Sequence, residues 1–107
     1  MNMYYVYLMR CSDNSLYCGI TTDLQRRFRE HTNKENPKGA KYTHAKEVIS
    51  IAAAWQTEEG RSEALRLEAK LKKLSKEKKE ILCNSPERLY EFCDGEQVFI
   101  SVQINPM

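Results

Sequence analysis

No apolar run in the 107-residue chain approaches the roughly 20 residues needed to cross a bilayer. The first residues, Met1-Asn2-Met3-Tyr4, lack the charged and apolar regions of a secretory leader, so a cytoplasmic protein is expected. Cysteine is sparse and scattered: Cys11, Cys18, Cys83 and Cys93 make no CxxC knuckle and too few pairs for a secreted disulfide scaffold. Reduced thiols that pack in a core are expected instead. Internal repeats, low-complexity tracts and linkers are also absent. What remains, at 41% hydrophobic content, fits one compact domain with a modest core.

The net charge of +2 conceals a strong segregation. Residues 1–46 carry 8 basic and 4 acidic groups, and residues 61–83 carry 8 and 4 again, so each segment is at +4. Residues 47–60 and 84–107 are each at −3. Positive charge concentrated on two segments is what a polyanion-binding surface requires, although a solvated helix face is lysine-rich as well.

Residues 3–10, Met-Tyr-Tyr-Val-Tyr-Leu-Met-Arg, are aromatic and aliphatic almost without a break, which predicts a central strand buried on both faces. The turn cluster Ser12-Asp13-Asn14-Ser15 and the short run Leu16 to Ile20 then make an antiparallel hairpin. Tyr7 and Tyr17 share a face only if odd positions pair with odd ones. A three-residue loop at Ser12-Asp13-Asn14 with Asn14 left-handed allows that register. Thr21 or Thr22 caps a helix in which Asp23 occupies the first turn and Leu24 and Phe28 form the docking pair, ending near His31. Residues 32–44 read as a mobile basic loop. Val48 to Gln56, β-branched at its start, predicts a third strand, although three alanines leave a helix open. Glu58, Glu59 and Glu63 suit a helix N-terminus, and Ala64, Leu67, Leu71 and Leu74 recur at helical spacing. Ser75 interrupts that helix, Lys76 to Leu82 continues as another, residues 86–92 form a short one after Ser85-Pro86, and residues 97–102 alternate as an edge strand.

The stretch from Tyr17 to His31 concentrates groups that handle phosphate. A strand delivers a tyrosine, Gly19 admits something close to the backbone, and Arg27 and His31, four apart, project from one helical face. Arg27 suits the charge on a phosphorus-centred transition state, and its bland alternative is a surface arginine beside Arg26 and Arg29. His31 suits proton transfer or the network around an attacking water, or is simply a histidine favoured at a helix C-terminus. Glu68 lies at the margin of an apolar stripe, where a carboxylate is only partly exposed. It can ligate Mg²⁺, which takes one or two protein carboxylates and completes its shell with water and phosphate, or it can pair with Lys72. Tyr7 and Tyr17 act as bases at neutral pH only if a cation or metal lowers them from about 10; otherwise they are core, as Tyr4, Tyr5, Tyr42 and Tyr90 are by default. Trp55 reads as core and His44 as loop.

These residues also resemble the GIY-YIG nuclease signature. Tyr17-Cys18-Gly19 stands for YIG, Leu24, Arg27 and His31 match Leu-x-x-Arg-x-x-x-His, and Tyr5-Val6-Tyr7 looks like a degenerate GIY that keeps the tyrosine at Tyr7. Glu68 falls where the family carries its metal-binding glutamate, and Gly39-Ala40-Lys41-Tyr42-Thr43 resembles a stretch of its short stand-alone bacterial members. The resemblance implies an α/β (α+β) fold, a small central three-stranded antiparallel sheet flanked by helices. It places that domain over residues 1–83, with 84–107 as an acidic extension packed on it. It further implies a metal-dependent endonuclease acting on DNA phosphodiesters in repair or processing, with Mg²⁺ or Mn²⁺ as cofactor. Its catalytic residues are then Tyr7, Tyr17, Arg27, His31 and Glu68, with Glu68 on the metal, converging on one small cavity. Arg26, Lys38, Lys41 and Lys72 are the nucleic-acid contacts. A late asparagine of the family has Asn84 as its only well-placed counterpart, with no local motif to fix it.

Tyr5 stands where the family has glycine, Cys18 replaces the middle residue of YIG, and no attached domain selects a DNA. The chain therefore acts weakly, recognises only shape such as branched or damaged DNA, or borrows specificity from a protein partner. Two rivals remain: a catalytically idle nucleic-acid-binding module, and an adaptor that sets its acidic tail against a basic partner.

Overall fold

The computed structural model describes residues 3–32, 47–94 and 98–104. The basic loop with Lys38, Lys41, Tyr42 and His44 lies outside the described residues, as does Gln97. Strand β1 (Tyr4–Cys11) and strand β2 (Leu16–Thr21) pair antiparallel, with Tyr7 opposite Gly19 and Met9 opposite Tyr17. The odd-to-odd register follows from the turn. Asn14 is left-handed at φ 69°, the Cys11 amide donates to the Ser15 carbonyl at 2.9 Å, and the Asn14 amide donates to the Cys11 carbonyl at 2.9 Å. The Asp13 carboxylate accepts from the Ser15 amide at 3.0 Å, an Asx-type bond that favours this turn.

β1 also pairs antiparallel with β3 (Val48–Thr57), so it is central, as its unbroken apolar run implies. Val6 and Leu8 are buried on one face, Tyr7 and Met9 on the other. The three-stranded core gains a fourth, two-residue strand, β4 (Ile100–Ser101), on the outer side of β3, giving the order β2-β1-β3-β4. The predicted strand over 97–102 is thus shorter than its alternation suggests, because only Trp55 and Gln56 of β3 pair with it.

Helix α1 (Leu24–Thr32) docks Leu24 and Phe28 on the Tyr7 face. Its cap differs from expectation. The Asp23 carboxylate accepts from the Arg26 amide at 3.0 Å, while the Thr21 hydroxyl accepts from the Asp23 amide at 3.1 Å. Asp23 caps the helix and Thr21 positions the cap, because a carboxylate is the better acceptor for the exposed first-turn amides.

The opposite face is covered by α2 (Arg61–Lys72), α3 (Lys76–Asn84) and α4 (Leu89–Phe92), which follows the 3-10 turn Pro86–Arg88. Ala64, Leu67 and Leu71 of α2 are buried against Val6, Leu8, Cys18 and Trp55. α2 starts after Gly60, whose φ of 95° no other residue type adopts cheaply. Glu58 and Glu59 therefore stay outside, and only Glu63 lies in its first turn. The helix closes at Lys72, before Leu74, and Ser75 caps α3 by accepting from the Lys78 amide at 3.2 Å. Leu89 and Cys93 belong to the same cluster as Val6, and the Trp55 indole donates to the Pro86 carbonyl at 2.8 Å. All four cysteines are free, and burial pushes the Cys18 thiol up to about 12, so it stays protonated. No helix among the described residues is long and apolar enough to cross a membrane.

Candidate active site

The hairpin register puts Tyr7 across from Gly19, and the tyrosine ring lies over the glycine backbone. A Cβ built on Gly19 would stand 2.6 Å from the Tyr7 Cζ. What the glycine admits is therefore the phenol of the neighbouring strand. Tyr17, one diagonal step away on the same face, places its ring 6.1 Å from that of Tyr7 at 50°. Helix α1 then lays Arg27 and His31 over this pair. The Arg27 Nε donates to the Tyr7 hydroxyl at 3.4 Å, and the His31 ring meets the Tyr17 ring edge-on with centroids 5.0 Å apart. Four of the five expected catalytic residues come together.

Burial, the dominant influence on Tyr7, pushes its phenol well above the ordinary tyrosine value, and the bond from Arg27 offsets only part of this. The expected lowering by a cation has the right sign but loses to desolvation. Tyr7 is a neutral phenol at working pH, an anchor for Arg27 rather than a base. Burial also opposes the Arg27 charge, yet the acceptors on Tyr7, Glu30 and Tyr17 outweigh it and hold the guanidinium above its usual value. His31 is only 4% exposed, and burial followed by the Arg27 charge holds its imidazole below the usual range, with Glu30 opposing. A neutral imidazole beside a fixed cation can accept a proton; an imidazolium cannot.

Glu30 is the residue the sequence reading missed. Its carboxylate accepts from the Arg27 Nη1 at 3.0 Å, in a pair whose side chains are 22% and 18% exposed. The signal was present, since Glu30 is three positions from Arg27 on one helical face. Arg26 is exposed on the outer side of α1, where its amide serves the Asp23 cap.

Glu68 does not join the quartet. Its helix covers the opposite sheet face, and its carboxylate, 18% exposed, pairs with Lys72 at 3.5 Å. The two groups nevertheless lie on either side of one strand. The Cys18 thiol touches the Glu68 carbonyl at 4.0 Å, Cys18 adjoins Tyr17 in sequence, and β2 is the terminal strand of the sheet. Instead of one closed cavity, the arrangement is a quartet on one face and a carboxylate on the helix that covers the other. No cluster of three or more His, Cys, Asp or Glu side chains exists among the described residues. That donor set does not fit a metal caged by protein ligands. A lone half-buried carboxylate fits Mg²⁺ or Mn²⁺ that keeps its waters and shares substrate phosphate oxygens.

The family model of the GIY-YIG catalytic domain matches residues 3–80. Among curated proteins, the UPF0213 protein YhbQ of Salmonella typhimurium is 45% identical over 87 residues, covering 81% of this chain and 83% of its own. A UPF0213 protein of Vibrio cholerae serotype O1 is 42% identical over 86 residues, covering 80% and 82%. The solution NMR structure of a UPF0213 protein from Bacillus halodurans is 38% identical, covers 81% of this chain and 92% of that one, and superposes with a TM-score of 0.47.

Proposed function

The chain belongs to the GIY-YIG family, in its short UPF0213 branch, and from that premise we propose that it hydrolyses DNA phosphodiester bonds with Mg²⁺ or Mn²⁺ bound at Glu68. The observation that carries this reading is the Arg27 guanidinium, fixed between the Tyr7 hydroxyl and the Glu30 carboxylate and facing the Tyr17 and His31 rings. A cation held in advance at the point where negative charge grows on a phosphoryl group stabilises the transition state without reorganising during reaction. Tyr17, half-buried at the rim of the quartet, holds the attacking water. His31, neutral at pH 7, accepts the proton that water releases as its oxygen bonds to phosphorus. Tyr7 sets the orientation of Arg27. The metal, when bound, neutralises charge on the phosphate and the departing oxygen.

The substrate reading is DNA whose shape, branched or damaged, exposes a phosphodiester, or DNA delivered by a protein partner. The test is incubation of the purified protein with supercoiled, branched and single-stranded DNA, with Mg²⁺ or Mn²⁺ and with chelator. The expected result is metal-dependent nicking that Arg27→Ala lowers by about 100-fold or more and that Glu68→Ala abolishes. Nicking that persists in chelator would remove the metal from the reading.

A second reading, an idle nucleic-acid-binding module, is favoured by one observation: Glu68 is paired with Lys72 on the face away from the quartet. It predicts salt-sensitive DNA binding that survives Glu68→Ala and no nicking with any of the three DNAs.

A further inference from the structure

Helices α2 and α3 set a row of cations along the outer strand β2, on the side that the quartet does not use. Lys72, 57% exposed, ends α2 one turn beyond Glu68, whose carbonyl touches Cys18 in the middle of β2. Lys76, 49% exposed, donates to the Asn14 carbonyl at the hairpin turn and shares Glu80 with Arg10, which also donates to the Asn14 carbonyl at 3.3 Å. Lys79 is half-buried on α3, three residues on from Lys76 and so on the same side of the helix. On this side the four cations Arg10, Lys72, Lys76 and Lys79 stand with the two carboxylates Glu68 and Glu80, an excess of +2. Several cations spaced along two helices suit an extended polyanion rather than a single small anion.

We propose that the nucleic-acid backbone crosses β2, the outer strand of the described sheet, so that phosphates on one side of the scissile bond meet Tyr17 and Arg27 while phosphates on the other side meet Lys72 and Lys79. This rests on the phosphodiesterase reading and extends it: the substrate is a strand able to bend or unpair over a sheet edge. Continuity favours this course, because Tyr17 and Cys18 are adjacent residues pointing to opposite faces of one edge strand. A strand on this course passes the face that carries Arg27 and then the helix that carries Glu68.

The experiment is a salt titration of binding, in chelator so that nothing is cleaved, with a fluorescent single-stranded 20-mer and a gapped duplex as probes. For the wild type, log affinity falls linearly with log salt. The double variant Lys72→Gln/Lys79→Gln is expected to lower the slope by about 1.4 on the single strand and about 1.8 on the duplex, the change that follows when two phosphates are no longer neutralised, and Lys72→Arg/Lys79→Arg to retain it. Arg88→Gln, at an exposed position toward the opposite, β4 edge of the sheet, is the control for net charge and is expected to leave the slope unchanged. A wild-type slope retained in the double glutamine variant, or an equal loss in Arg88→Gln, overturns the edge path while leaving the nuclease reading intact. Absence of salt-dependent binding by the wild type overturns both.

Discussion

Val6 and Leu8 point from β1 into a cluster of eleven buried residues completed by α2, α3 and α4, whereas Tyr7 and Met9 point the other way into a cluster of six under α1. The larger cluster is aliphatic, with one tryptophan and two thiols. The smaller one is bordered by a phenol, a guanidinium, an imidazole and a carboxylate that bond or stack on one another. One strand thus feeds two interiors with alternate side chains. The difference teaches where a small domain can hold chemistry: stability comes mostly from one face, which frees the other to bury polar groups whose desolvation only mutual bonds offset.

Removing core from the first face should have the largest effect on stability and leave the quartet in place. Leu71 of α2 is fully buried, so Leu71→Ala should cost about 2 to 5 kcal/mol, measured by urea unfolding. Nicking per folded molecule should stay at the wild-type rate. A matching loss of rate under conditions where the variant is fully folded would mean that the faces are mechanically coupled and the contrast is false.

Gly19→Ala attacks the second face in its backbone. The new methyl must displace the Tyr7 ring, whose hydroxyl anchors Arg27. Overpacking of this kind costs about 1 to 3 kcal/mol, less than the loss from Leu71→Ala. Here the rate should fall as well, by at least tenfold, because the guanidinium loses its support. Wild-type rate in a destabilised Gly19→Ala would show that Tyr7 is packing alone.

Much of this second face was legible in the sequence. Apolar alternation, the Ser-Asp-Asn turn and the i,i+4 pair of Arg27 and His31 are local signals, and they set the register, the shared face and the helix that covers it. Which side of the sheet Glu68 occupies was not legible. That depends on how the chain passes from β3 through Gly60 into α2, a tertiary choice with no periodicity of its own. The marginal position of Glu68 on its helix was legible, yet a margin can border either the site or the solvent beyond an edge strand. The short reach of β4 and the inclusion of Leu89 in the main cluster were hidden for the same reason. Glu30 was missed because acidic residues beside arginines on a helix usually mark surface pairs, and only burial gives this one weight.

Glu30→Gln makes a smaller and more selective change. The amide keeps the shape and one acceptor for Arg27 Nη1 but removes the charge, so stability should change by less than about 1 kcal/mol, as for other modest hydrogen-bond alterations. The turnover rate should fall by roughly 3- to 10-fold with little change in substrate affinity, because a less firmly held guanidinium stabilises the transition state less. Glu30→Ala should fall further than Glu30→Gln. Tighter DNA binding with unchanged turnover in both would show instead that Glu30 masks Arg27 from phosphate.

Acid should separate the two faces by the order in which they respond. His31 has its folded value below 6.5, so as pH drops beneath 6.5 the unfolded chain takes up this proton before the folded one does, and stability declines in that window. Above 6.5 the histidine contributes no slope. Glu80, on the side of the larger cluster, is held at about 2 against an ordinary 4.5, first by Arg10 and then by Lys76. Its contribution is complete above 4.5 and is lost as pH falls toward 2. The His31 step should therefore come first, visible as a change in the Tyr17 ring signals against which the imidazole packs, while the Arg10–Glu80 bridge to the hairpin persists. In urea unfolding at stepped pH, His31→Gln should flatten only the upper window and Glu80→Gln only the lower. One variant that flattened both windows would show that the two faces titrate as a single unit, and the division of labour drawn from their burial would fail.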